Sequence, residues 1–266
     1  MKNIKLIISY DGSRYNGWQK QGNTKNTIQE KLEETISKLL GEQVEVAGSG
    51  RTDAGVNAMG QVANFHISNE TYDLYCKSCQ QDRHNINKLK EELNKYLPKD
   101  IRILNACEAH NRFHSRLHAV GKHYSYRIDN GDVADIFNRK YLVRLEEKLD
   151  IELMKKAAEY FLGEYDFKSF CANRKMKKST VRIITKLDIR EKNGIIRLDF
   201  YGNGFLYNMI RIMTGTLIEV GLAKRKPEDI KRIIEAKDRK EAGYLAPAHG
   251  LFLEEVFYGR EDISDE

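Results

Sequence analysis

The order of strand and helix patterns is the feature that most constrains how this chain can fold. In the first half, alternating or short apolar runs predict strands over residues 5–10, 44–47, 61–67 and 101–106. Apolar residues at helical spacing predict helices over residues 28–40 and 86–97. Thr27 and Glu30 form a capping box before the first helix, and Gly41 ends it. The first half therefore follows the order β-α-β-β-α-β.

The second half repeats that order. Strands are predicted over residues 118–129, 181–190, 195–201 and 251–257, and helices over residues 150–163, 205–222 and 227–236. Asn193-Gly194 is a strong signal for a tight hairpin between two of these strands. Two successive β-α-β-β-α-β units predict an α+β protein with two ferredoxin-like halves that share an extended, mostly antiparallel sheet. We place the halves at residues 1–115 and 116–266.

Composition narrows the class of protein. The chain has 266 residues, 45 Lys and Arg against 39 Asp and Glu, and a net charge of +6. No stretch reaches the ~18 unbroken apolar residues of a membrane span. The apolar run near the N-terminus is too short for a signal-peptide core. We therefore expect an unexported, cytoplasmic protein whose mild basic excess suits a nucleic-acid partner.

Four cysteines in a chain of this length do not predict a disulfide framework. Cys76 and Cys79 form a lone Cys-x-x-Cys, and His84 follows. A closed zinc site needs four ligands, and no second pair is present, so we predict no metal site. The segment of residues 68–85 is instead expected to be a polar, irregular surface insertion with reduced thiols.

The glycine-rich segment of residues 48–60 is the most informative for chemistry. Its glycines allow close approach of the backbone to a ligand, and they surround Arg51 and Asp53. A carboxylate held in such a loop can act at an anomeric carbon, where sugar cleavage develops positive charge. The spacing alone also fits an Asx-type turn with a surface ion pair. The segment matches neither a P-loop nor a dinucleotide fingerprint.

Residues 50–56 (Gly-Arg-Thr-Asp-Ala-Gly-Val), followed by Gly60-Gln61-Val62, resemble the active-site motif of the TruA family of tRNA pseudouridine synthases. Further matches occur in the family's order: Tyr10-Asp11-Gly12, Gly17-Trp18-Gln19, residues 97–101, residues 113–116, Lys122, Tyr124, Tyr126, Asp166-Phe167, residues 205–215 and Gly250-Leu251. The resemblance thus runs along nearly the whole chain. It implies two ferredoxin-like halves around a central cleft.

The resemblance implies a cofactor-independent isomerisation of uridine to pseudouridine, at positions 38–40 of the tRNA anticodon arm. Asp53 matches the catalytic aspartate, which acts at C1′ as nucleophile or base. Arg51 matches the arginine that holds this aspartate and helps to occupy the space that the extruded base leaves. Tyr124 matches the tyrosine that stacks on the target base. Arg211 matches a helix arginine, for which we predict an ion pair with Asp53 because a buried charge needs a partner.

The target nucleotide must leave its stack, and phosphate contacts would supply most of the affinity. Candidate RNA-binding residues are Lys20, Lys122, Arg174, Lys175, Lys177, Lys178 and Arg182. The family generally forms homodimers, so we expect RNA and a second copy of the chain as partners, and no membrane.

The sequence also departs from the family pattern. Asn57 and Asn64 stand where histidines are common, and the insertion is unusual, so a ribosomal RNA target is an alternative. A non-catalytic RNA-binding or chaperone module is a more distant alternative, because it does not explain the Arg51–Asp53 loop. A glycoside or nucleoside hydrolase normally needs a second carboxylate, which the motif lacks.

Overall fold

The structure is a computed structural model that describes residues 1–76, 86–173 and 175–259. The strands are β1 (Lys2–Tyr10), β2 (Ala47–Gly48), β3 (Asn57–Ile67), β4 (Ile101–Ala109), β5 (Ala119–Asp129), β6 (Val143–Arg144), β7 (Gly163–Asp166), β8 (Val181–Lys192), β9 (Ile195–Gly202) and β10 (Leu251–Tyr258). The α-helices are α1 (Ile28–Leu40), α2 (Asn69–Cys76), α3 (Asn87–Tyr96), α4 (Ile151–Glu159), α5 (Met209–Gly221) and α6 (Asp229–Ala236). The predicted α+β class is confirmed.

The chain divides into two compact units. Unit 1 comprises Met1–Val120 and the chain from Leu253 onward, and unit 2 comprises Gly121–Phe252. These units differ from the halves predicted at residues 1–115 and 116–266, chiefly because most of β10 joins the sheet of unit 1 beside β3. Within the three described stretches, no helix is both long and apolar enough to cross a membrane.

Unit 1 has the strand order β4-β1-β3-β10, and β2 pairs with β3 at Ala63 and Asn64. β1 is antiparallel to both β3 and β4, with Leu6 opposite Ala63 on one side and Ala106 on the other. Alternate residues of β1 face the core, where Leu6 is fully buried with Leu32 of α1 and Leu89 of α3. This is the antiparallel arrangement that a β-α-β-β-α-β order predicts.

The first helix matches its sequence signals. The Thr27 side chain accepts a hydrogen bond from the Glu30 backbone N–H, and Gly41 ends the helix in the left-handed conformation (φ 71°). The strand predicted over residues 44–47 is wrong for most of its length. The backbone N–H groups of Val44 and Val46 donate to side chains of α1, Ser37 Oγ at 2.9 Å and Glu33 Oε1 at 3.1 Å, instead of to a neighbouring strand.

The expectation of an irregular segment after β3 is wrong where α2 forms. Ser68 Oγ accepts a hydrogen bond from the Thr71 backbone N–H at 3.0 Å, which caps the helix. The helix is anchored by Tyr72, which is 7% exposed and donates its hydroxyl to Glu108 of β4. Cys79 and His84 lie outside the described residues, and so does the Cys76 side chain.

Unit 2 has the strand order β5-β9-β8-β7, with β6 beside β5. The predicted hairpin is confirmed: Asn193 (φ 53°) and Gly194 (φ 75°) connect β8 to β9 in left-handed conformations. Asp150 caps α4 by accepting from the Leu153 N–H. The helix predicted from residue 205 begins only at Met209, because Asn208 is left-handed (φ 61°) and cannot lie inside a right-handed helix.

Candidate active site

The loop that carries Asp53 connects β2 to β3 in unit 1, and the segment after β1 holds it in place. The Thr52 carbonyl accepts from the Trp18 N–H at 3.0 Å, and the Thr52 hydroxyl is 2.8 Å from the Tyr10 hydroxyl. The Asp53 carbonyl accepts from the Val56 N–H at 3.1 Å, closing a tight turn. Thr52 is buried and Asp53 is half-buried, so this loop holds Asp53 on an anchored backbone.

Two glycines allow the supporting segment to lie against this loop. A Cβ on Gly17, whose φ is +89°, would lie 2.6 Å from the Thr52 carbonyl oxygen. A Cβ on Gly12 would lie 1.9 Å from the Val56 carbonyl oxygen. No other residue type fits such an approach without displacing the loop backbone. The glycines matched at Tyr10-Asp11-Gly12 and Gly17-Trp18-Gln19 thus have a physical role in positioning Asp53.

Aromatic rings pack beneath the loop. Trp18 is 2% exposed and lies against Gly48, where an added Cβ would be 2.5 Å from the indole ring. Its ring centroid is 6.1 Å from that of Tyr10, and burial raises the pKa of the Tyr10 hydroxyl. Tyr10 is therefore neutral, and it acts as a packing and hydrogen-bonding group.

Arg51 is exposed, and its Nε donates to Gln19 Oε1 at 3.1 Å. Together they line a small cavity of about 230 Å³ that also includes His114 and Arg116. These last two residues belong to the matched motif of residues 113–116, for which the sequence predicted no role. The structure thus places two further cationic or ionisable groups next to Arg51.

Asn57 and Asn64, the departures from the family pattern, are both buried hydrogen-bonding residues. Asn57 Oδ1 accepts from the Gly12 N–H at 2.9 Å, which ties the start of β3 to the segment after β1. Asn64 Oδ1 accepts from the Ser115 N–H at 2.9 Å, and its Nδ2 donates to Asn3 Oδ1 at 3.0 Å. Within unit 1, these side chains serve as structural connections.

Tyr124 and Arg211 both belong to unit 2. Tyr124 lies on β5, is 7% exposed, and packs edge-on against Phe205 with a centroid distance of 5.3 Å. Arg211 lies in the first turn of α5. Its Nε donates to the Ala246 carbonyl at 2.7 Å, and its Nη1 donates to Asn208 Oδ1 at 3.0 Å. Two acceptors therefore orient the guanidinium, and the predicted ion pair with Asp53 stays a prediction.

The predicted RNA-binding residues differ in their surroundings. In unit 1, Lys20 is paired with Glu30 at 3.3 Å and Glu33 at 3.1 Å, and hydrogen bonds to these carboxylates raise its pKa. Part of its charge is thus already balanced.

In unit 2, Lys122 is half-buried, whereas Lys175, Lys177 and Lys178 are exposed. Arg182 is half-buried, and burial lowers its pKa. Its Nη1 donates to the Ser179 carbonyl at 3.0 Å. Arg174 lies outside the described residues. Across residues 1–76, 86–173 and 175–259, no group of three His, Cys, Asp or Glu side chains could hold a metal ion.

Comparison with known proteins identifies the family. A family model described as "tRNA pseudouridine synthase" matches residues 6–116 and 157–259. The tRNA pseudouridine synthase A of Bacillus sp. (strain KSM-64) is 45% identical over 97% of this chain and 100% of its own length. That of Clostridium kluyveri is also 45% identical, with the same coverage.

The tRNA pseudouridine synthase A 2 of Bacillus cereus (strain ZK / E33L) is 43% identical over 96% of this chain and 99% of its own. The family model and these relatives cover both the loop of Asp53 and the helix of Arg211. The resemblance inferred from the motifs is therefore confirmed, and the chain belongs to the tRNA pseudouridine synthase family.

Proposed function

We propose that this protein isomerises uridine to pseudouridine within tRNA, in the anticodon arm at positions 38–40. The observation that carries the proposal is the half-buried Asp53 on a loop whose backbone is anchored at Thr52 and closed into a tight turn by the Val56 N–H. The full-length relatives are named for tRNA, which favours tRNA over ribosomal RNA as the substrate.

The reaction breaks the bond between C1′ and N1 of the uridine and forms a bond between C1′ and C5. The proton on C5 is lost and N1 gains one, so that no atom is added overall and no redox step occurs. Asp53 acts at C1′, where an anion stabilises or captures the positive charge that develops on cleavage. This role requires the ionised form of the Asp53 carboxyl.

The neighbouring groups have supporting roles in this proposal. Arg51 helps to occupy the space that the extruded base leaves, and its exposed position suits that role. The Tyr124 ring stacks on the target uracil, supported from its edge by Phe205. Arg211 stabilises the Asp53 carboxylate. The basic residues Lys20, Lys122, Arg174, Lys175, Lys177, Lys178 and Arg182 bind phosphates of the RNA.

The test is pseudouridine mapping on separate tRNA and ribosomal RNA transcripts with purified protein. The wild-type protein is expected to modify the tRNA, and Asp53→Ala and Asp53→Asn are expected to abolish modification while RNA still binds. Pseudouridine confined to the ribosomal RNA would overturn the choice of substrate. Unchanged modification by both variants would overturn the role of Asp53, and release of free uracil would indicate a hydrolase.

Arg211→Ala provides a second test of the site. We expect it to reduce turnover far more than RNA affinity, because its guanidinium acts on Asp53 instead of holding the RNA. Equal losses of turnover and affinity would contradict this role. Arg139→Ala is a suitable control, since Arg139 is an exposed arginine of the same unit that donates to the nearby Ile136 carbonyl.

We further propose that the protein works as a homodimer in the cytoplasm, as is general for the family. Light scattering of the purified protein at several concentrations tests the first statement. A mass that stays at the 30.8 kDa of one chain would contradict it.

A further inference from the structure

Unit 2 contains a strongly basic cavity of about 590 Å³. Three separate parts of the chain form its wall: the end of β7 with the turn that follows, residues 171, 173 and 176–181, and the turn after α6. Six basic and two acidic side chains line it. Of these basic residues, only Lys177 and Lys178 were expected from the sequence, because the others belong to separate segments of the chain.

Asp166 holds the three segments together. Its carboxylate accepts hydrogen bonds from the Thr180 hydroxyl and from the Lys168 N–H at 3.2 Å, and it pairs with Lys237 at 3.2 Å. Burial acts to raise the pKa of Asp166, but the hydrogen bonds from Thr180 and Lys237 outweigh it and lower the pKa. The carboxylate is therefore ionised, and it serves as part of the frame.

The other acidic residue of the cavity is also engaged locally. Asp238 Oδ1 accepts from the Lys240 backbone N–H at 3.0 Å, which stabilises the turn after α6. The ammonium groups of Lys168, Lys177, Lys178 and Lys240 have no carboxylate partner among the residues that the structure describes. Their repulsion is reduced when an anion enters the cavity.

Other cations of unit 2 are arranged differently. Lys186 pairs with Asp188 at 2.7 Å, and Arg225 and Arg232 have partners in Glu219 and Glu241. The cavity thus gathers on one wall several cations that lack a carboxylate partner among the described residues. Such a concentration attracts a polyanion more strongly than the modest net charge of +6 suggests.

The composition of the wall indicates which part of a nucleic acid fits. No aromatic side chain is among the lining residues that the structure describes, so a base would find no ring on which to stack. Lysine ammonium groups and the Ser179 and Thr180 hydroxyls suit phosphate oxygens. The cavity therefore suits the sugar–phosphate backbone.

The cavity wall is also connected to the segment that leads into α5. The Ala172 backbone N–H donates to the Tyr207 carbonyl at 3.1 Å, and Asn208 and Arg211 follow directly along the chain. RNA bound in the cavity would therefore contact the segment around Ala172. That segment is hydrogen-bonded to Tyr207, which directly precedes Asn208, an acceptor for Arg211.

We infer that this cavity binds a backbone phosphate group of the substrate RNA, with Lys177, Lys178 and Lys240 as its principal cations. This inference rests on the proposed function, because it takes the substrate to be an RNA. The inference adds Lys168 and Lys240 to the RNA-binding residues expected from the sequence. It places them in one site with Lys177 and Lys178.

The test compares two triple variants in an Asp53→Asn background, so that affinity for a tRNA transcript is measured without turnover. One variant carries Lys177→Gln, Lys178→Gln and Lys240→Gln. The matched control carries Lys156→Gln, Lys192→Gln and Lys231→Gln, which removes the same charge from exposed positions of unit 2 outside the cavity. Thermal unfolding of both variants checks that the fold is retained.

We expect the cavity variant to weaken binding about tenfold and to lower the slope of log Kd against log salt by about two to three. The control is expected to change both quantities far less. Equal losses in the two variants would show a general effect of charge, and no loss in the cavity variant would remove the cavity from the RNA interface. Either result would overturn the inference.

A further arm distinguishes RNA from free phosphate. Inorganic phosphate, added at constant ionic strength, is expected to compete with the tRNA only weakly. If it instead stabilised the parent protein but not the cavity variant, while tRNA affinity was the same in both, the site would be one for free phosphate. The proposed function is tested separately, by pseudouridine formation with the protein that retains Asp53.

Discussion

Asn208 Oδ1 accepts a hydrogen bond from Arg211 Nη1 at 3.0 Å, and Asn208 adopts the left-handed conformation with φ 61°. Asparagine is one of the few residue types that tolerates this conformation and also offers a side-chain acceptor. The backbone of Asn208 ends the irregular segment before α5, while its side chain accepts from the arginine in the first turn of the helix. One residue thus sets the start of α5 and, together with the Ala246 carbonyl, orients the guanidinium.

Asn208→Gly separates these two roles, because glycine accepts φ 61° without strain but offers no side-chain oxygen. We expect kcat for pseudouridine formation to fall about tenfold with little change in KM, since a hydrogen bond to a charged group contributes about 1.5–3 kcal/mol. Asn208→Asp keeps the acceptor and should retain most of the rate. Equal rates for wild type and the glycine variant would rule out positioning by Asn208.

Gly17→Ala tests whether the close approach behind the catalytic loop matters. The added methyl would lie 2.6 Å from the Thr52 carbonyl oxygen at a φ of +89°, so we expect a loss of about 2 kcal/mol in unfolding free energy. The displaced loop should lower the rate of pseudouridine formation at least about tenfold. Urea unfolding and single-turnover assays measure the two effects.

The matched control for that variant is Gly22→Ala. Gly22 has nothing within 4 Å of an added Cβ and no positive φ, so its stability should change by less than about 0.5 kcal/mol. If both glycine variants retained the wild-type rate, the position of Asp53 would not depend on this contact.

Asp199 should make the stability of the protein depend on acidic pH. Its side chain is 1% exposed, accepts from Arg197 Nη2 at 2.8 Å, and lies 2.7 Å from His123 Nε2. Burial acts to raise the pKa of Asp199, but the hydrogen bonds from His123 and Arg197 outweigh it and lower the pKa well below its usual value. A carboxylate with a lowered pKa stabilises the fold above its unfolded-state pKa.

Asp199→Asn should therefore reduce the free energy of unfolding by about 2 kcal/mol at pH 7. The difference in unfolding free energy between the variant and the wild type should narrow as the pH falls below about 4, because the Asp199 carboxyl of the unfolded chain then binds a proton. Asp188→Asn, at the paired position on β8 and 32% exposed, should change stability by about 0.5 kcal/mol or less. If the difference in unfolding free energy between Asp199→Asn and the wild type stayed constant down to pH 3.5, the proposed dependence of stability on the ionised Asp199 would be contradicted.

The sequence by itself determined the features that depend on neighbours along the chain. Thr27 caps α1, Asp150 caps α4, and Asn193-Gly194 turns β8 into β9, because each uses backbone groups only a few residues away. The motif around Asp53 likewise identified the family, since its residues are contiguous.

Only the tertiary structure decided the features that depend on distant partners. Glu33 and Ser37 take the backbone N–H groups that a longer β2 would have used. Arg211 receives its acceptor from Ala246, which is 35 residues away along the chain. The basic cavity brings Lys240 to the same wall as Lys177. Local sequence patterns contain no information on such pairs, because the contacts form only when the sheet and helices of each unit have packed.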